Sequence, residues 1–135
     1  MQQAEDLCPG TLHYSDGGLG GEVQTSVAQE GGLCYIAKAE VFRRDGTHEV
    51  VGTARYSVAG GDATLYDTQF SARTHGTESA LLKEVTEQAR AQGADRLRVW
   101  VRDGDSVTEQ RWLSHNFQPT ERDPNARGVF WERPV

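Results

Sequence analysis

The chain is short, acidic and of ordinary globular composition. It has 135 residues, of which 36% are hydrophobic and 25% charged, with a formal net charge of −6, and this predicts one soluble domain over residues 1–135. Up to Phe70 ten acids accompany four bases, and the remainder has ten of each, which argues against a nucleic-acid partner.

No apolar run is long enough to cross a bilayer, and the first residues lack a signal-peptide pattern, so we expect a cytoplasmic protein with no membrane partner. Cys8 and Cys34 lie in no CxxC or Cys/His cluster, which argues against a disulfide framework or a structural metal site.

The first half of the chain alternates polar and apolar residues between glycine-rich turns, a pattern typical of β-strands. The alternating segments are TLHYS, EVQTSVAQ, LCYIAKAEVF, EVVGTARYSV and ATLYDTQF. The Asp-Gly pair of RRDGTH is a strong hairpin signal. In the segment that follows this pair, the alternation puts on one face Val50, Ala54, Tyr56 and Val58. We therefore expect a meander of about four or five antiparallel strands.

After Phe70 the apolar period changes to that of a helix. SALLKEVTEQARAQG carries one apolar stripe and ends at Gly93, and the stripe consists of Leu81, Leu82, Val85 and Ala89. RLRVWVR alternates as a strand, and DSVTEQRWLSHN predicts a second helix with Asp105 or Ser106 as its cap. FQPTER and GVFWERP are expected to close as a hairpin. The predicted fold class is α+β with a mixed sheet: an N-terminal antiparallel strand meander, then helix, strand, helix and C-terminal hairpin.

The order of elements and the segment from about Leu65 to Val135 resemble the GNAT superfamily of acyl-CoA-dependent N-acyltransferases. The fingerprint of that family is an RxxGxG or RxxGxA loop that opens a helix. Here it would comprise Arg73, Thr74, His75, Gly76, Thr77 and Glu78, followed by SALL. A later signature, a tyrosine four residues before a Gly-Phe pair, would fall on Trp112, Asn116 and Phe117. The resemblance covers a little over half of the chain.

This resemblance implies a site for acetyl-CoA or another acyl-CoA. Backbone amides from about Arg73 to Ser79 would hold the pyrophosphate, because unpaired N–H groups and the positive end of the dipole meet at a helix N-terminus. The pantetheine arm would lie between the strands ATLYDTQF and RLRVWVR and present the acyl group to an amine. Catalysis would rest mainly on positioning and on backbone amides that stabilise the oxyanion.

Glu78 departs from the fingerprint, because it stands where the family has a small residue. A carboxylate in the first helical turn is favoured by the helix dipole by about 0.3–1 kcal/mol. Glu78 could therefore cap an empty site from within, and it would repel a pyrophosphate unless it rotated outward. A helix that binds nothing, with Glu78 as an ordinary first-turn residue, is the alternative.

The catalytic residues implied by the resemblance are only partly present. Trp112 occupies the position of the family's tyrosine, but an indole N–H cannot relay a proton, and a core aromatic is the preferred interpretation. Asp67 lies on the strand that would hold the acyl group, and Glu40 lies across the sheet; both are candidate bases for the amine. His75 in the loop could contact a phosphate or act as a base.

The N-terminal part also departs from the family, which has two helices between its first and second strands. The interval from Ser15 to Leu33 holds six glycines and alternating residues, so a strand hairpin is expected there. One sheet face would then lack its usual cover, and Trp100 with three arginines lies on the polar face of RLRVWVR. We prefer a self-associating face, and hence a homodimer, over a solvated one.

Two functions from different classes remain. The first is an N-acyltransferase that acts on a small-molecule or peptidyl amine; the second is a catalytically inactive GNAT-like binding or dimerisation domain with a degenerate coenzyme A site. Arg73, Gly76 and the element order favour the first. Glu78, Trp112 and the missing helices favour the second.

Overall fold

A computed structural model describes residues 12–14, 21–71 and 76–135. Cys8 and the loop residues Arg73, Thr74 and His75 lie outside these ranges. The strands are β1 (Leu12–Tyr14), β2 (Gly21–Gly31), β3 (Cys34–Phe42), β4 (His48–Ala59), β5 (Asp62–Phe70), β6 (Arg96–Arg102), β7 (Gln118–Pro119) and β8 (Gly128–Pro134). The helices are α1 (Thr77–Ala91) and α2 (Ser106–Ser114).

The strands form one mixed sheet in the order β1-β2-β3-β4-β5-β6-β8-β7. The pair β5–β6 is parallel and is joined through α1, whereas the other neighbouring pairs are antiparallel. A parallel pair needs such a crossover, because a tight turn cannot return the chain in the same direction. The predicted α+β class and the order of elements are confirmed. Strand β2 runs through the glycine-rich interval where a strand was expected in place of helices.

Both helices pack on the same face of the sheet. The predicted stripe of α1 is at most 1% exposed and joins one core with Trp112 of α2 and with strand residues such as Ala37 and Tyr56. Within the described ranges no helix covers the other face, and we call it the helix-free face. It is the face on which Glu40, Arg55 and Trp100 lie.

The prediction for Val50 is wrong. Ala39 pairs with Gly52 and Glu40 with Val50, so Val51 is an extra residue in β4. Such a bulge shifts the alternation of side chains by one position. Val51 is therefore 3% exposed, whereas Val50 turns to the helix-free face and is 47% exposed.

The helix ends follow the sequence signals. After α1 ends at Ala91, Gly93 adopts a positive φ of 96°, as is common for a glycine just past a helix. Asp105 caps α2 by accepting a hydrogen bond from the Thr108 N–H at 3.1 Å. In the described part of the chain, no helix has the length and apolar character needed to span a bilayer.

Candidate functional site

Strands β5 and β6 separate halfway along their length. They are paired only from Asp62 with Arg96 to Leu65 with Val99, although β5 continues to Phe70 and β6 to Arg102. A bulge starts the separation, because Tyr56 pairs with Leu65 but Arg55 pairs with Asp67. We call the resulting gap the strand cleft. Backbone groups of β5 beyond Leu65 face this cleft without a β6 partner and can bind a ligand there.

Helix α1 begins at the same end of the sheet as the strand cleft. Gly76 precedes it with a φ of 76°. Within the described ranges, no side chain caps the first turn of α1, and a Cβ on Gly76 would meet nothing within 4 Å. The first N–H groups of a helix point outward and carry the positive end of its dipole. Thr77 is 0% exposed, and its Oγ1 has no hydrogen-bond partner among the residues that the structure describes. An uncapped helix start beside an unsatisfied hydroxyl fits a bound anion.

Glu78 faces α2 and does not cap α1. Its Oε1 lies 2.8 Å from His115 Nε2, and its Oε2 lies 3.3 Å from Arg111 Nε. The carboxylate is thus paired with side chains of the neighbouring helix. Neither His115 nor Arg111 is among the candidate site residues taken from the sequence. Their spacing of four residues, which puts two side chains on one helix face, was the available signal.

A groove separates α1 from the end of α2. Its volume is about 380 Å³, and its lining includes Ser79, Lys83, Thr86, Arg90, Asn116 and Arg133. Arg133 fixes one wall, because it donates to the His115 carbonyl at 2.9 Å and to Thr86 Oγ1 at 2.6 Å. Burial lowers the pKa of Arg133 from its ordinary value, yet a guanidinium stays charged at neutral pH. We call this groove the helix groove. Its described lining offers three cations to an anionic ligand, Lys83, Arg90 and Arg133, against one carboxylate, Glu87.

The structure places the loop residues and Trp112 in different environments. Gly76, Thr77, Glu78 and Ser79 form the start of α1. Trp112 is 2% exposed and packs edge-on against Phe117 at 5.1 Å. The interpretation of Trp112 as a core aromatic is supported, and its burial gives it no proton-relay role.

The two candidate bases are not brought together. Asp67 follows the bulge at the strand cleft, and its Oδ2 accepts from Arg55 Nη1 at 3.0 Å. Glu40 lies on β3, with its Oε2 3.3 Å from His48 Nδ1. Because β4 separates β3 from β5, Glu40 is about 10 Å from the β5 backbone in the sheet plane. Of the two, only Asp67 lies at the strand cleft.

Several solved structures that share this architecture are structures of acetyltransferases. No protein-family model and no curated protein matches the chain. Nourseothricin acetyltransferase matches with a TM-score of 0.61 and 20% identity, over 95% of this chain and 89% of that one. The ribosomal-protein-S18-alanine N-acetyltransferase from Escherichia coli matches with a TM-score of 0.60 and 12% identity, over 83% of this chain and 94% of that one.

A third match is the PaiA N-acetyltransferase from Thermoplasma acidophilum in complex with coenzyme A. Its TM-score is 0.60 at 18% identity, and it covers 76% of this chain. The chain spans 61% of the length of that structure. At such identities the matches show a shared fold, and the fold implied by the sequence resemblance is confirmed.

Proposed function

We propose that this chain, which has the GNAT fold, is an N-acyltransferase that moves an acyl group, most simply acetyl, from acyl-CoA to an amine. One observation carries the proposal: the uncapped start of α1 opens beside the strand cleft. An anion site and a gap in the sheet thus lie at the same end of β5. The start of α1 suits a pyrophosphate, and the strand cleft suits a long thioester arm, so the two features fit the two parts of an acyl-CoA molecule.

The residues present fit coenzyme A. The amides that follow Gly76 would hold the pyrophosphate, and Thr77 Oγ1 lies buried beside them without a hydrogen-bond partner in the described part of the chain. The cations of the helix groove, including Lys83 and Arg133, would attract further phosphate charge. The strand cleft would take the arm, with β5 backbone groups as hydrogen-bond partners. The bound acyl-CoA would supply an activated thioester.

The contribution of the protein to the reaction would be mainly positioning. Amides of β5 beyond Leu65 can donate to the acyl carbonyl oxygen, where negative charge develops. Asp67 can accept the proton that the attacking amine loses, provided that Arg55 leaves one of its oxygens free. A thiolate leaves readily near neutral pH because a thiol has a pKa of about 8.5. Transfer therefore does not require an acid at the position of Trp112.

The alternative function, a catalytically inactive GNAT-like binding or dimerisation domain with a degenerate coenzyme A site, loses one of its three supports. Glu78 was expected to cap the anion site, but its carboxylate contacts Arg111 and His115 instead. An anion at the start of α1 would therefore interact with Glu78 and its two partners together, and not with an isolated carboxylate. The acceptor in the proposed reaction is a small-molecule or peptidyl amine.

A pair of glycines provides a matched test. Gly76 and Gly93 flank α1 at its two ends, and both have positive φ. At neither would a Cβ meet an atom of the described residues within 4 Å. Replacing either by alanine should cost a similar 1–2 kcal/mol, roughly, from backbone strain. Only Gly76 adjoins the proposed pyrophosphate site.

We expect calorimetry to give micromolar binding of acetyl-CoA to the wild type and to Gly93→Ala. Binding to Gly76→Ala should be weaker by about tenfold, because the altered loop no longer presents its amides. Acyl transfer is then tested by measuring the release of coenzyme A from acetyl-CoA in the presence of each of a panel of amines. Absence of wild-type binding at low salt, or equal binding by the two variants, would overturn the proposal.

A further inference from the structure

The helix groove contains a half-buried guanidinium with no carboxylate partner among the described residues. Arg133 donates to the His115 carbonyl and to Thr86 Oγ1, and its Cζ lies 5.3 Å from the centre of the Phe117 ring. None of these groups carries a negative charge, although charges that leave water are normally paired in proteins. By contrast, two carboxylates lie within ion-pair distance of each of three arginines on the helix-free face, namely Arg55, Arg96 and Arg98.

Two further cations flank Arg133 along α1. Lys83 and Arg90 are seven residues apart, so they share one face of the helix about 10 Å apart along its axis. Arg133 contacts α1 at Thr86, which lies between them. Neither Lys83 nor Arg90 forms an ion pair within the described ranges. Three cations less the one carboxylate, Glu87, leave a charge of +2 on the described lining, in a chain whose net charge is −6.

The rest of the groove lining is mainly polar. Ser79, Ser114 and Asn116 add hydroxyl and amide groups, and Leu82 is the one aliphatic side chain of the described lining. Such a surface suits a small hydrophilic group better than an acyl chain or an aromatic ring. A phosphate monoester has a charge between about −1.5 and −2 at neutral pH and three acceptor oxygens. It therefore matches both the charge of the groove and its surplus of donors.

We infer that the helix groove is a binding site for a phosphate monoester, with Arg133 as its anchor and Lys83 and Arg90 on either side. Arg133 uses two N–H groups for its contacts with His115 and Thr86, and a guanidinium has five. The remaining donors can bind phosphate oxygens in the fork geometry that arginine favours. Because the two contacts already fix the side chain, binding costs little further conformational entropy.

This site is distinct from the proposed pyrophosphate site at the start of α1. Thr86 lies nine residues after Thr77, which is about 13 Å along the helix axis. Two sources could supply the monoester. One is the ribose phosphate of coenzyme A itself, and this source rests on the proposed function. The other is a separate phosphorylated small molecule, which would bind whether or not the chain transfers acyl groups.

Inorganic phosphate is the probe for the site. We expect a titration at constant ionic strength, followed by NMR of the backbone amides, to give saturable shifts around the groove at millimolar phosphate. Lys83→Gln with Arg90→Gln should weaken binding by about tenfold, because two charged contacts are lost. Both side chains are exposed, so the fold should persist. Lys38→Gln with Arg44→Gln is the matched control, since it removes two exposed cations that do not line the groove.

Shifts that do not saturate, or equal affinities in the two double variants, would overturn the site. Arg133→Lys tests the anchor, because it keeps the charge and loses the planar fork. It should also weaken phosphate binding by about tenfold, with folding verified by circular dichroism. Wild-type affinity in this variant would overturn the role of Arg133.

Coenzymes with and without the ribose phosphate identify the source. If coenzyme supplies the monoester, acetyl-CoA should bind about tenfold more tightly than acetyl-dephospho-CoA, and the difference should vanish in the Lys83→Gln, Arg90→Gln variant. A difference that persists in that variant would overturn this source. If a separate molecule supplies it, the two coenzymes should bind equally, and phosphate should still shift the groove resonances of the coenzyme-bound protein. Phosphate binding without binding of either coenzyme would refute the proposed function and support the groove site.

Discussion

Replacing Glu78 by glutamine measures what the carboxylate costs an incoming pyrophosphate. The substitution removes one negative charge from the first turn of α1 and keeps the shape of the side chain. Two unit charges about 8 Å apart interact by about 0.5 kcal/mol in water and about 2 kcal/mol at an effective dielectric constant near 20. The Glu78 side chain is 26% exposed and paired with Arg111 and His115. Its repulsion of a phosphate should therefore be close to the smaller of these two energies. We expect acetyl-CoA to bind Glu78→Gln roughly threefold more tightly, a gain of about 0.65 kcal/mol.

The assay is calorimetric titration of acetyl-CoA at low and moderate salt. The gain should shrink as salt rises, because the Debye length falls to about 8 Å at physiological ionic strength. Glu22→Gln is the control, since it changes the net charge equally but lies on the helix-free face. It should leave the affinity unchanged at both salt concentrations.

Weaker binding by Glu78→Gln than by the wild type would refute this reasoning. The carboxylate would then serve the site by holding Arg111 and His115 in place, and repulsion would not be its main effect. A gain that persists at high salt would also contradict it, because a screened charge cannot produce such a gain.

Two further predictions concern stability. Gly128→Ala should lower the free energy of unfolding by roughly 2–3 kcal/mol, because a Cβ there would lie 2.9 Å from the Trp100 ring and against the Val101 carbonyl; a urea midpoint close to that of the wild type would contradict this. Tyr56→Phe should cost about 1 kcal/mol near neutral pH through the lost hydrogen bond to Gln92. Burial raises the pKa of Tyr56 to about 12, above its unfolded value near 10, so the wild type should lose stability as the pH rises through this window. The stability difference between wild type and Tyr56→Phe should then narrow, and a constant difference would exclude the raised pKa.

Much of the fold could be predicted because its elements rely on local patterns. The stripe of α1, the alternation of β6 and the Asp105 cap each depend on residues close in sequence. Val50 shows the limit of such patterns. A bulge is set by pairing between strands, and the extra residue, Val51, is as apolar as its neighbour. The sequence alternation alone therefore could not show which valine turns inward.

The site was predictable only in part, for a similar reason. The fingerprint correctly located the start of α1. The resemblance directed attention to the two strands β5 and β6, which separate beyond Leu65. It did not show where the Glu78 carboxylate would point, because its partners lie more than thirty residues later on another helix. Asp67 and Glu40 looked equivalent as bases until the strand order placed only Asp67 at the cleft.

The partners of Glu78 also change how a degenerate fingerprint should be judged. A small residue is favoured at this position because it adds no charge near a phosphate, so the quantity that matters is the local charge and not the residue type. With Arg111 paired to Glu78 the local charge is balanced. A cationic residue on α2 can therefore offset a carboxylate on α1. On this argument, loss of the α2 partners would damage the site more than the presence of Glu78 does.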